Sequence, residues 1–154
     1  MRKLDALVVK FFQEQNFVIV STIDKKGFPH SSCKGIVKID KNGNLYLLDV
    51  YFRETHGNLI KNPKISITAV NEHSFKGYCL KGSAKILDKS KLNPEIIESW
   101  ENKISGRAAQ RLLKNVREEK SHLSHPEVLL PKPEYMIAME VEEIVDLTPL
   151  HLKK

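Results

Sequence analysis

The sequence predicts a mainly β, α+β fold: a six-stranded antiparallel barrel with flanking helices. Three observations carry this. Six segments rich in β-branched and apolar residues recur along the chain. Turns bearing Gly, Asn and Asp separate the first three, and connections that short force antiparallel pairing. Helical periodicity is confined to the N-terminus, one short segment inside the sheet and the stretch before the last strand. That is not the strand–helix alternation of a doubly wound sheet.

Residues 3–15 read as an amphipathic helix, with Leu4, Leu7, Val8, Phe11 and Phe12 at the spacing of one buried face. Residues 17–23 have the β-branched profile of a buried strand, and Asp24-Lys-Lys-Gly27 supplies a turn. A second strand spans about 29–39 and ends in Asp40-Lys-Asn-Gly-Asn44; a third covers 45–51. Thr55 to Asn62 reads as a short helix stopped by Pro63. Residues 64–70 alternate as a fourth strand, and 77–87 form a fifth, in which Gly82 marks a bulge or a close approach. Asn93 and Pro94 suit the cap and first position of a helix with Ile97, Trp100 and Ile104 on one face. Ser105-Gly106 breaks it, a second helical segment runs to about 120, and 121–133 reads as a loop. The sixth strand is 135–147.

The chain has 154 residues, 41% hydrophobic and 29% charged, which suits one globular domain over 1–154 and argues against disorder. No apolar run approaches the ~20 residues of a membrane-spanning helix, and the N-terminal stretch is interrupted by Asp5, Lys10 and Glu14, unlike a secretion signal. Two cysteines, Cys33 and Cys79, are too few for a disulfide framework, so a cytoplasmic setting is expected. The net charge of +6 is spread along the chain. The densest basic stretch, 107–117, is followed at once by Glu118 and Glu119, which makes nucleic-acid binding a minor alternative. There is no P-loop, no Gly-x-Gly-x-x-Gly after a strand and no Gly-x-Ser-x-Gly elbow.

The informative stretch is Tyr51-Phe-Arg-Glu-Thr-His-Gly-Asn-Leu-Ile-Lys-Asn-Pro63, where a strand gives way to a short helix. The start of that helix gathers Arg53, the Thr55 hydroxyl and unpaired backbone N–H groups, a combination suited to phosphate. A plain N-cap at Thr55 with Arg53 in solvent is the competing reading. His122 and His125 sit one turn apart without a further convincing metal ligand, so no metal is expected. Cys33 and Cys79 read as small hydrophobes, with redox activity beside a cofactor as the alternative. Trp100 reads as core or dimer interface, or as an aromatic lid.

The ordered set Gly27-Phe-Pro29, strand, turn, strand, Arg53-Glu-Thr55-x-x-Asn58-Leu59-x-x-Asn62-Pro63, strand, Gly82-x-Ala84 resembles the FMN-binding split β-barrel of the pyridoxamine 5′-phosphate oxidase-like proteins. The resemblance covers roughly 5–87, with a weaker match at 135–147. It implies a homodimer holding FMN non-covalently at the subunit interface and acting as an oxidoreductase on a small-molecule substrate or electron donor. It implies Ser32, Cys33 and Lys34 along the flavin, Leu48, Asp49 and Val50 beside the ring or ribityl chain, and Arg53, Thr55 and Asn58 at the phosphate. Many relatives carry a basic residue just before the Thr, where this chain has Glu54. The C-terminal Trp and Arg region of true pyridoxamine-phosphate oxidases is also missing, so that reaction is not assigned. The alternatives are a flavin carrier or sensor without turnover, or a split barrel that binds haem or a deazaflavin.

Overall fold

The strands β1 Val18–Ile23, β2 Pro29–Ile39, β3 Asn44–Asp49, β4 Lys64–Asn71, β5 Lys76–Asp88 and β6 Tyr135–Asp146 close into a barrel of order β1-β2-β3-β6-β5-β4. They are seen in a computed structural model that describes residues 2–49, 53–103, 106 and 135–153. Every pairing is antiparallel, and β4 returns to β1 to complete the ring. The barrel is therefore the one the sequence predicts.

Local chemistry fixes the hairpins. Asp24 Oδ1 accepts the backbone N–H groups of Lys26 at 2.7 Å and Phe28 at 2.9 Å, and Gly27 takes φ 86°. Asp40 Oδ1 does the same for Asn42 at 2.8 Å and Asn44 at 3.0 Å, with Gly43 at φ 89°. Both are side chain–backbone turns that only a residue tolerant of positive φ can finish cheaply. The β5–β6 register shifts between Lys81 and Gly82. A Cβ on Gly82 would collide with the carbonyl oxygen of Glu140, which is the close approach the sequence marks there.

The inner face carries alternate residues of each strand, among them Val18 and Val20, Leu45 and Leu47, Ile65 and Ile67, Leu80, Ile137, Met139 and Val141. Helix α1, Ala6–Gln13, adds Val8, Val9 and Phe12 to this core, with Leu4 just before it. The helix is shorter than the expected 3–15 because Asp5 is its N-cap, accepting the Leu7 N–H at 2.8 Å. The buried stripe is rotated to include Val9, which leaves Leu7, expected in the core, 73% exposed.

Helix α2, Glu54–Lys61, lies against β1, β2 and β5 and buries Thr55, Asn58 and Leu59. A third helix, α3, covers 94–103; Asn93 Oδ1 accepts the Glu95 N–H at 3.0 Å, as expected of a cap. Ile96, Ile97 and Trp100 pack with Leu92 on a second apolar cluster outside the barrel, formed by Val37, Leu48 and Met136. Lys103 Nζ donates to the Ile36 carbonyl oxygen and ties α3 to β2. The helical segment expected to run to about 120, the loop 121–133, Ile104, His122 and His125 lie outside the described residues. Among the described residues no helix is long and apolar enough to cross a membrane.

Candidate functional site

Strand alternation decides which expected site residues meet. In β2, Ser32 stands opposite Val20 and Lys34 opposite Val18, both on the inner face. Cys33 stands opposite the exposed Ile19 and is itself exposed on the outer face. In β3, Asp49 follows Leu45 and Leu47 on the inner side, whereas Leu48 faces outward into the cluster beneath α3. Val50 lies outside the described residues. The two triplets are thus divided between the faces of the barrel.

The inward members gather beneath the first turn of α2. Ser32 Oγ lies 3.1 Å from Thr55 Oγ1. Lys34 Nζ lies 3.0 Å from Asp49 Oδ2, with the two side chains 9% and 5% exposed. That contact is ionic, since its geometry at Oδ2 is not that of a directed hydrogen bond. Asp49 pairs in register with Tyr135, the first residue of β6 and 1% exposed. Burial raises the pKa of the Tyr135 phenol above its ordinary value, and its hydrogen bond to the Asp49 carboxylate raises it further. The Tyr135 ring also meets the His56 ring edge-on, with centroids 4.8 Å apart.

The mouth of the site is the start of α2. Arg53 is the N-cap residue, exposed, and makes no side-chain cap hydrogen bond. A guanidinium has no acceptor, so the Arg53 side chain takes up none of the first N–H groups of the helix. Glu54 is exposed at the first helical position, where its carboxylate can remain in water. Asn58 is the third residue expected at a phosphate. It is buried, and its Nδ2 donates to Thr22 Oγ1 of β1 at 3.1 Å, so its amide joins helix to barrel.

Sequence reading missed Tyr135, His56 and Thr22 as members of this cluster. Tyr135 opens a strand otherwise read for its apolar alternation, and nothing in its spacing points to Asp49. Trp100, whose Nε1 is buried with no hydrogen-bond partner among the described residues, packs against the outer cluster. Among the described residues, no three His, Cys, Asp or Glu side chains gather to hold a metal.

The Arg53 guanidinium, the hydroxyls of Ser32 and Thr55 and the N–H groups at the start of α2 are donors of the kind the phosphate of a flavin mononucleotide takes. Lys34 cannot offer its ammonium there, because that group is turned inward to Asp49.

HupZ of Group A Streptococcus superposes with a TM-score of 0.63 at 19% identity, covering 94% of this chain and 95% of that one. A Clostridium acetobutylicum protein related to general stress protein 26 of B. subtilis, of the pyridoxinephosphate oxidase family, gives 0.58 at 17% identity, covering 97% and 100%. A protein named F420 reductase gives 0.55 at 13% identity, covering 88% and 94%. At such identities the likeness establishes the fold. No curated protein matches the sequence. The family described as pyridoxamine 5′-phosphate oxidase matches residues 4–139. With the closed six-stranded barrel, that match places this chain in the pyridoxamine 5′-phosphate oxidase family.

Proposed function

We propose that this chain is a cytoplasmic FMN-dependent oxidoreductase, working as a homodimer with the flavin at the subunit interface. The observation that carries the proposal is the start of α2, where Arg53 is the residue before the helix and Thr55 Oγ1 of its first turn meets Ser32 Oγ at 3.1 Å. Arg53 holds the phosphate by charge-assisted hydrogen bonds, and Thr55 and the first N–H groups of α2 complete its shell. The α2 dipole favours the negative charge there, while Glu54 opposes it and limits the affinity. FMN supplies electron and hydride transfer when bound; the protein's part is to bind and orient it against a small substrate or electron donor. No side chain is assigned as a catalytic acid or base.

The outer face of β1 and its neighbours supports the dimer. Phe17, Ile19, Ile23, Phe28 and Val70 are all exposed, an apolar surface of the kind a second subunit covers.

The test is an absorbance scan of purified protein, followed by FMN titration monitored by fluorescence quenching and sedimentation of the loaded protein. Yellow protein, saturable quenching and a dimer mass are expected. Colourless protein with no quenching would overturn flavin binding. Bound FMN without turnover by any reduced nicotinamide would favour a carrier or sensor. A deazaflavin is the second ligand to titrate, because the fold is shared with the protein named F420 reductase.

A further inference from the structure

Helix α2 has eight residues and no side-chain cap at Arg53. A helix that short is marginal by itself, so tertiary contacts must hold its start. Those contacts form a closed circuit. Thr55 Oγ1 meets Ser32 Oγ at 3.1 Å, and Ser32 lies two residues from Lys34 on the same face of β2. Lys34 Nζ meets Asp49 Oδ2 at 3.0 Å. Asp49 bonds the phenol of Tyr135, its register partner in β6. The Tyr135 ring carries His56, the residue after Thr55, at 4.8 Å between centroids. Three strands and one helical turn are thus joined by six side chains, and the charged pair lies at the far side of the loop from α2.

We propose that Lys34, Asp49 and Tyr135 are positioning residues: a buried clamp that fixes the first turn of α2 in the ligand-free protein. The ion pair is shut away from water, so it cannot itself touch a ligand. Its contribution is rigidity. The pair orients Tyr135 for His56 and holds the Ser32 segment of β2 against β3, so that Thr55 and the α2 N–H groups are in place before an anion arrives. A site ordered in advance binds with less ordering cost. The ligand part of this inference rests on the flavin reading above; the positional part does not.

The experiment is residue-resolved amide exchange on the ligand-free protein. Tyr135→Phe keeps the ring under His56 and deletes only the bond to Asp49. Exchange at Gly57, Asn58 and Leu59 should rise about tenfold, with the β4 amides of Ile65–Ala69 unchanged. Ser32→Ala and Thr55→Val, which open the circuit elsewhere without touching the ion pair, should give the same local pattern. Thr55→Ser, which keeps the hydroxyl, should behave as wild type. Should Tyr135→Phe fail to fold, the Ser32 and Thr55 variants decide alone. Unchanged exchange in α2, or a rise spread evenly over the barrel, would overturn the clamp. FMN titration should show affinity falling about fivefold to tenfold in Tyr135→Phe, which removes no group from the phosphate's shell. Wild-type protein that takes up no FMN would overturn the flavin reading alone and leave the exchange result to judge the clamp.

Discussion

Lys34 and Asp49 face each other at 3.0 Å on the inner wall of the barrel, with side chains 9% and 5% exposed. Removing one partner strands the other charge in a poorly solvated site. Lys34→Met should therefore cost about 3–5 kcal/mol. Asp49→Asn preserves the shape and an acceptor for Tyr135 but leaves the ammonium without a counter-charge. The double variant removes both charges together, so its loss should be smaller than the sum of the singles by about 1–3 kcal/mol. Chemical denaturation of the four proteins gives this coupling, and strictly additive losses would exclude a buried charge pair.

The raised pKa of Tyr135 has a definite sign in alkaline solution. The folded protein keeps the phenolic proton where the unfolded chain, with a tyrosine pKa of 10.0, releases it. The unfolded state then binds fewer protons, so stability is fully present below about pH 10 and falls as pH rises above it. The slope from this one group approaches about 1.4 kcal/mol per pH unit. Melting curves at pH 9, 10 and 11 should show a steeper alkaline loss for wild type than for Tyr135→Phe. Parallel losses would mean that Tyr135 titrates alike in both states.

The charges at the start of α2 oppose each other across one peptide bond. Arg53→Ala should weaken FMN binding by about 10–150-fold, the loss of one charge-assisted contact worth about 1.5–3 kcal/mol. Glu54→Lys should leave affinity equal or tighter, because it removes a like charge and supplies a cation. Fluorescence titration measures both. Equal affinity in Arg53→Ala would take Arg53 out of the site.

Gly82 permits the shift of register between β5 and β6. Even the methyl group of Gly82→Ala meets the backbone of Glu140, which cannot swing aside as a side chain would. The substitution should lower stability by about 1–3 kcal/mol, as overpacking does, and thermal melting reads it directly. A melting temperature unchanged by the extra methyl would mean that the two strands separate freely at this point.

The barrel was readable because its hairpins are local. Asp24 to Gly27 and Asp40 to Asn44 write their turns in the residues that make them, and β2 runs from Pro29 to Ile39 as the pattern requires. The start of α2 was legible for the same reason, to within one residue. The cluster beneath it was not. Which face a strand residue occupies depends on register, and a slip of one position reverses it. The β2–β3 ladder also shifts between Ile36 and Lys38. A lysine in a strand normally reads as an outward residue, so nothing near Lys34 announces a counter-ion fifteen positions later. The bond of Asn58 to Thr22 was not legible either, because its polarity suits a ligand as well as it suits Thr22, and only the packing of α2 on β1 brings the two together.

Return of β4 to β1 has a consequence for association. Each of the six described strands has a neighbour on both sides, so no whole strand is left as an edge, and the described ladders run on one side only at strand ends such as 29–34 of β2 and 142–146 of β6. Strand addition, the usual route from a native sheet to a fibril, finds only these short stretches unless the β1–β4 seam opens. A companion of the folded barrel recognises mainly side chains and shape. The outward residues therefore determine what it associates with, and those few positions can change partners without disturbing the fold that carries them.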